Sequence, residues 1–346
     1  MKSKVKENFS NKITVLSFVM SIFVIFIHAN NLKYYGLLDH SNMLINYEIT
    51  LFADAIGGIA VPFFFFLSGF WFFRMNIQTK NVWRNIRNKN IKKINTLIIP
   101  YVFWNTLGMI FYMFLARIPL IATFMNNSKI IPINLSSIIN GIFNHKFYFP
   151  FWYMKELIII SFLVTPMLVL VLRRKRLSHV VLILIVICSF FQIDFHFVQS
   201  TSILFFFQGA LIATFYRKWF EQNECKNMSI IYLVLLLICI IIRFFNKSAM
   251  SELCLYASPI LLVKSGEWVP HKNVNWFVKQ SFFIYASHII PVTAIGHILR
   301  MVSSDNSWAT VAYIIAVLMT LIILWIVAHC LVKISPYFYS LISGGR

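Results

Sequence analysis

The sequence predicts an all-α fold: a polytopic integral membrane helix bundle of about ten transmembrane helices, with both termini cytoplasmic. Three observations carry this. The 346 residues are 59% hydrophobic and only 12% charged, with a mean hydropathy of +0.76, too apolar for a water-soluble domain. Apolar runs of about 17 to 25 residues recur between polar gaps. The basic residues alternate from gap to gap: of 31 Lys and Arg, 23 fall in the gaps on one side of the predicted membrane and 6 in those on the other. The rule that cytoplasmic loops hold the excess of Lys and Arg puts the N-terminus, the C-terminus and an even number of spans in register.

The first run, 12–30, follows Lys2, Lys4, Lys6 and Lys12. No small-x-small cleavage site comes after it, so it is expected to remain as the first span. The second and third runs, 51–73 and 95–115, enclose the stretch that orients the rest. It reads VPFFFFLSGFWFFR, then a loop with Arg74, Lys80, Arg84, Arg87, Lys89, Lys92 and Lys93, then LIIPYVFWN. A loop so cationic cannot enter hydrocarbon and faces the cytoplasm. Further spans are expected at 150–172, 178–193, 200–216, 229–246, 253–264, 276–299 and 308–332. The gap at about 116–149 is too short for a separate domain and is expected to cap the bundle. With neither a repeat nor a linker, 1–346 reads as one membrane-embedded domain.

Composition also excludes. The formal charge of +20 sits in short gaps between apolar runs rather than on a folded surface, which points to anionic lipid headgroups and away from nucleic acid. The five cysteines show no CxxC and no Cys/His cluster at zinc spacing, so neither a disulfide framework nor a metal site is expected.

An ionisable side chain inside a span costs a few kcal/mol or more, so each one is a functional candidate. His28 comes late in the first span, about 24 Å from the cytoplasmic edge at 1.5 Å per residue. A neutral imidazole there suits general-base work on a hydroxyl, and an interfacial or hydrogen-bonded histidine is the simpler alternative. His288 precedes Pro291 by three residues, and the proline is expected to bend that helix. Lys155 and Glu156 begin the fourth span at the outer interface, either snorkelling to water or contacting an external substrate. Asp54 starts an outside-to-inside helix, where a carboxylate favours the positive dipole end. His329 ends the tenth span. The basic loop 74–93 is either a topology anchor or a clamp for the phosphates of a nucleotide-bearing donor.

These residues resemble those of the acyltransferase family 3 membrane proteins. FVIFIHANN is similar to the end of that family's first helix, and PFFFFLSGFWFFR to its FF-x-SGF stretch at Phe63 to Phe70. Lys92 and Lys93 before LIIPYVFW fit its basic run ahead of an IPY-type helix. FWYMKELIIISFLVTPML resembles its W-(F/Y)-x-x-x-L…P helix at Trp152 to Pro166, and FFFQGALIA its F-x-x-G helix. SFFIYASHIIP resembles its IY-x-x-H helix at Ile284 to His288, and SPYFYSLISGGR its tail. The resemblance covers nearly the whole chain in the right order. It departs at Ser17, where the family usually carries a base eleven residues before the histidine, and at Thr96, where a second base usually follows Lys93 at a spacing of three.

The resemblance implies an inner-membrane O-acyltransferase. It would transfer an acyl group, most often acetyl, from acyl-CoA as donor substrate to a hydroxyl of a glycan, peptidoglycan or lipid-linked sugar acceptor, with no bound cofactor. His28 would be the catalytic general base or acyl relay. Arg74, Lys89, Lys92, Lys93, Trp152, Lys155, Glu156 and His288 are the candidate substrate-binding residues, and Ser68 with Gly69 a structural motif where helices approach closely. Two other classes stay open on the residues alone. One is a transporter or flippase for a lipid or sugar, expected to show paired Gly/Pro-interrupted helices in two related halves. The other is a catalytically silent sensor, consistent with Ser17.

Overall fold

The computed structural model describes residues 2–29, 43–115, 117, 135–143, 148–195, 197–245, 249–269, 274–302 and 308–345. Among them every regular element is helical, and the only extended pairing is an isolated bridge between Phe195 and Val198. Helices fall on each of the expected spans. Six are long and apolar enough to cross a membrane: Glu7–Ala29, Leu44–Phe73, Val82–Phe111, Phe149–Leu172, Lys226–Phe245 and Ala309–Ile334.

Helix α1 is Lys2–Ala29. The second span begins earlier than its hydropathy suggests, at α2, Met43–Ile49. It runs through a π turn at Thr50–Ile56 and a 3-10 turn at Gly57–Ile59 into α3, Ala60–Phe73. A π turn throws carbonyls out of the usual ladder. Arg243, near the end of α12 (Lys226–Phe245), takes two of them, donating to the carbonyls of Asp54 at 2.9 Å and Ala55 at 3.2 Å. Gly58 makes room for the guanidinium: a Cβ there would stand 2.6 Å from Arg243 Nη2.

The expected basic loop is mostly helix. Helix α4, Val82–Lys93, buries Val82 and Ile86 and leaves Arg84 and Arg87 exposed. It continues through a π turn at Ile94–Ile98 into α5, Ile99–Leu115. Pro100 has no N–H for the carbonyl of Thr96, and the π turn absorbs the missing bond. The same device recurs where α7, Trp152–Ile159, passes through Ile160–Val164 into α8, Thr165–Leu172, which carries Pro166 in its first turn. Of the gap expected to cap the bundle, α6 (Leu135–Phe143) is described. Residues 116, 118–134 and 144–147 lie outside the described residues.

The remaining helices are α9, Lys175–Phe190, α10, Ser200–Phe215, α11, Arg217–Glu221, and α13, Ala249–Ser265. After a 3-10 turn at Phe277–Gln280 come α14, Ser281–Ser287, α15, Ile289–Val302, α16, Ala309–Ile334, and the tail helix α17, Pro336–Ile342. The ninth span is broken at His288, where Pro291 leaves the carbonyl of Ser287 without its helical donor. Helix α10 is buried along almost its whole length and crosses α3 in the most extensive helix contact of the bundle. Helix α12 is the least buried of the six long apolar helices among the described residues and leaves Ile230, Leu237 and Ile241 exposed.

Candidate functional site

The bundle encloses a cavity of about 540 Å³. One wall is a helical stripe of α1, Ser10, Ile13, Thr14 and Ser17, spaced so that all four share a face. Opposite it α3 contributes Phe64, Leu67, Ser68, Trp71 and Phe72, and α7 contributes Tyr153 and Leu157. Lys89, Lys92 and Lys93 of α4, with Thr96 and Leu97, line the third side. Lys279, Ser281, Phe282 and Tyr285 close the fourth. Among these residues are four lysines, six serines and threonines, two tyrosines and no carboxylate.

The lysines differ in what their amines touch. Lys89 donates to the carbonyl of Trp71 at 3.2 Å and to that of Phe72, and so caps the C-terminal end of α3. Lys93 donates to Ser161 Oγ at 2.7 Å and lies 4.9 Å from the centre of the Phe72 ring. Lys92 and Lys279 are exposed and make no hydrogen bond or ion pair among the described residues. Elsewhere buried cations are paired: Lys12 meets Glu267 at 2.6 Å, and Lys264 meets Glu224.

Aromatic rings gather in one part of the cavity lining. Tyr153 and Tyr285 meet edge to face at 5.5 Å between centroids, and Phe64 lies 6.3 Å and 6.4 Å from them. Ser68 Oγ is 3.5 Å from the Tyr153 hydroxyl, and the Tyr285 hydroxyl donates to the carbonyl of Pro150 at 2.6 Å. Beyond the rings His28 and His288 stand together, 5.0 Å between ring centroids. Phe149 lies edge-on to His28 at 6.4 Å. His288 is fully buried, and its Nδ1 is 2.7 Å from the carbonyl of Tyr285. A carbonyl only accepts, so Nδ1 carries the proton and Nε2 is left as an acceptor. That Nε2 is buried without a hydrogen-bond partner among the described residues.

A family model described as an acyltransferase domain matches residues 11–329, nearly the whole chain. The chain belongs to acyltransferase family 3. Neither the curated proteins nor the solved structures gave a match. The family match spans every cavity residue from Ile13 to Tyr285 and both histidines. Membrane acyltransferase is therefore the class of activity to which the cavity and the histidine pair have to be related.

In this acyltransferase the expected residues fall into three groups. Lys89, Lys92, Lys93 and Ser68 line the cavity, while Gly69 sits on the other side of α3 against α10. His28 and His288 form the pair beyond the rings, and His28 itself does not line the cavity. Ser17, which does, lies eleven residues earlier on α1, about 16 Å along the axis. The third group faces elsewhere. Arg74 is ion-paired with Glu221 at 2.7 Å and stacked over Trp71. Trp152 is half-buried against the core, and Lys155 is half-buried beside Glu156. Glu156 accepts from the backbone N–H of Gln199 at 3.4 Å, at the N-cap of α10, where Asp194 also accepts from Ser200 at 2.8 Å. Carboxylates there satisfy helix N–H groups and favour the dipole.

Sequence reasoning passed over Tyr153, Tyr285 and Lys279. The hydroxyl row of α1 was the one legible signal: Ser10, Thr14 and Ser17 repeat at helical spacing within an apolar span.

Proposed function

We propose that this acyltransferase is an O-acyltransferase that takes its acyl group, most simply acetyl, from a coenzyme A thioester entering the cavity from the cytoplasm. It delivers the group to a hydroxyl of a cell-surface glycan, peptidoglycan or lipid-linked sugar. The observation that supports this reading best is the cavity itself. It carries the exposed Lys92 and Lys279, hydroxyls and apolar rings, has no carboxylate among its described lining residues, and includes Tyr285, whose ring centre is 6.2 Å from that of His288, the neighbour of His28. A phosphate-bearing head with a long neutral arm matches that set of surfaces. In this reading 1–346 is a single domain of the cell membrane, its ten helical stretches are spans and both termini are cytoplasmic.

The chemistry follows from the pair. The acyl arm passes Phe64, Tyr153 and Tyr285 to bring the thioester carbonyl to His28. His28, acting as general base, accepts the proton of the acceptor hydroxyl as its oxygen attacks that carbonyl. The carbon–sulfur bond then breaks and the coenzyme A sulfur leaves, taking the proton back from the imidazolium. His288 positions His28 through its bare Nε2, which can accept the N–H of the neighbouring ring and so fix which nitrogen of His28 faces the substrate.

The test uses purified protein, labelled acetyl-CoA and a surface glycan fraction. Wild type transfers label, and His28→Ala lowers the rate by about 100-fold to 10,000-fold, the range of general-base catalysis, while eluting as a folded protein. Full activity in His28→Ala would exclude the mechanism. An acetyl-sized mass loss from the surface glycans of a deletion strain identifies the acceptor.

A further inference from the structure

We infer that Lys279 and Lys92 form a two-pronged anion clamp at the cavity mouth, and that Lys279 is a donor-binding residue for the phosphates of the coenzyme A thioester. The inference rests on the donor assignment proposed above and adds the residue that selects a phosphorylated donor over a bare pantetheine thioester.

Four observations support it. First, Lys279 comes from the turn Phe277–Gln280 and Lys92 from α4, so two separate elements bring exposed cations to one cavity rather than repeating them along one helix. Second, of the four cavity lysines only Lys92 and Lys279 are both exposed and without a hydrogen bond or ion pair among the described residues. Lys89 is occupied with the end of α3. Third, no carboxylate is among the described residues that line the cavity, so none of them neutralises the two charges. Fourth, the turn that presents Lys279 is held on both sides. The buried Gln280 accepts from the Tyr339 hydroxyl at 2.7 Å, and the carbonyl of Ser281 accepts from Ser21 Oγ at 3.0 Å. A cation on an anchored turn loses less freedom on binding than one on a loop.

A phosphate between two lysines gains charge-assisted hydrogen bonds from both. A thioester without phosphates reaches the same arm-binding wall and gains neither.

The experiment measures equilibrium binding of acetyl-CoA and of acetyl-pantetheine to the full-length protein in detergent. Wild type, Lys279→Gln, Lys92→Gln, the double variant and the exposed control Lys218→Gln are compared. Each clamp variant is expected to weaken acetyl-CoA about tenfold and the double variant about 100-fold. Acetyl-pantetheine should change less than about twofold, and Lys218→Gln should match wild type on both ligands. Adding Ser17→Lys to Lys279→Gln puts a cation back on the facing wall and should recover part of the loss.

Lys279→Gln that binds acetyl-CoA as wild type does overturns the clamp and leaves the donor assignment standing. An equal loss for both ligands also overturns it, because it marks a distorted cavity. Wild type that binds neither thioester overturns the donor assignment, and the clamp with it.

Discussion

Helix α3 has two faces that do opposite things. Phe66, Gly69, Phe70 and Phe73 form the stripe turned toward α10 and α11. There the backbones meet so closely that a Cβ on Gly69 would lie 1.9 Å from the carbonyl oxygen of Phe206, and one on Gly209 would lie 1.9 Å from that of Phe66. On the other side Phe64, Leu67, Ser68 and Trp71 look across about 540 Å³ of open space. The glycine contact is reciprocal and backbone to backbone, so no side-chain rotation can relieve crowding there. The open face needs only to keep its shape. The difference teaches how a membrane bundle can hold a cavity without collapsing: the wall is held from behind by a crossing with no slack.

The strongest way to break this arrangement is to crowd the closed face. Gly69→Val or Gly209→Val should prevent accumulation of folded protein, seen as loss of the monodisperse peak in size exclusion. Gly69→Ala should survive with a lowered thermal midpoint, costing on the order of 3 kcal/mol, the upper part of the range for overpacking. A Gly69→Ala variant as stable as wild type would show that the two helices are further apart than described.

Crowding the open face should do the reverse. Ser68 is one residue from Gly69, yet Ser68→Trp places an indole in empty space. The thermal midpoint should stay within a few degrees, while acetyl-CoA affinity falls by about 100-fold, on the order of 3 kcal/mol. If Ser68→Trp unfolds the protein or leaves binding intact, the cavity is not the donor site.

Much of this was legible in the sequence, for reasons that also mark where legibility stops. Apolar runs and alternating cations located the helices, since burial in hydrocarbon acts on every residue of a span. Ser68-Gly69 pointed to a close approach because glycine lets backbones touch, and Gly69 does. His28 stood out as an ionisable residue in a span, and it does pair with His288. What local pattern cannot show is which distant residue a cation meets. Arg74 belonged by position to the basic stretch, but Glu221 neutralises it from nearly 150 residues away. Glu156 had the position of an external contact, but the start of α10 claims it. Lys279 sits in a polar gap like other topology lysines, and only the packing of α14 against α1 and α17 brings it to the cavity. The basic segment itself was mistaken for a loop because its charge density hid the two buried apolar residues, Val82 and Ile86, one helical turn apart.

The finest form of the comparison lies within α4, where Lys89 and Lys92 are three residues apart and line the same cavity. Coulomb attraction alone would make them equivalent toward an anion. Their hydrogen bonds make them different. The Lys89 amine already serves the last carbonyls of α3, so it belongs to the closed face's support although its carbon chain borders the open one. Lys89→Met removes those bonds and should lower stability by about 1 kcal/mol, the usual value for a cation at a helix C-terminus. Acetyl-CoA affinity should fall less than about threefold, because the amine is not directed at the ligand. Lys92→Gln should leave the thermal midpoint unchanged and cost the larger, tenfold share of binding. Measuring both quantities on both variants separates the roles. If Lys89→Met weakens acetyl-CoA as much as Lys92→Gln does, the amine leaves α3 when the donor arrives, and the wall of the cavity is reshaped by the ligand it holds.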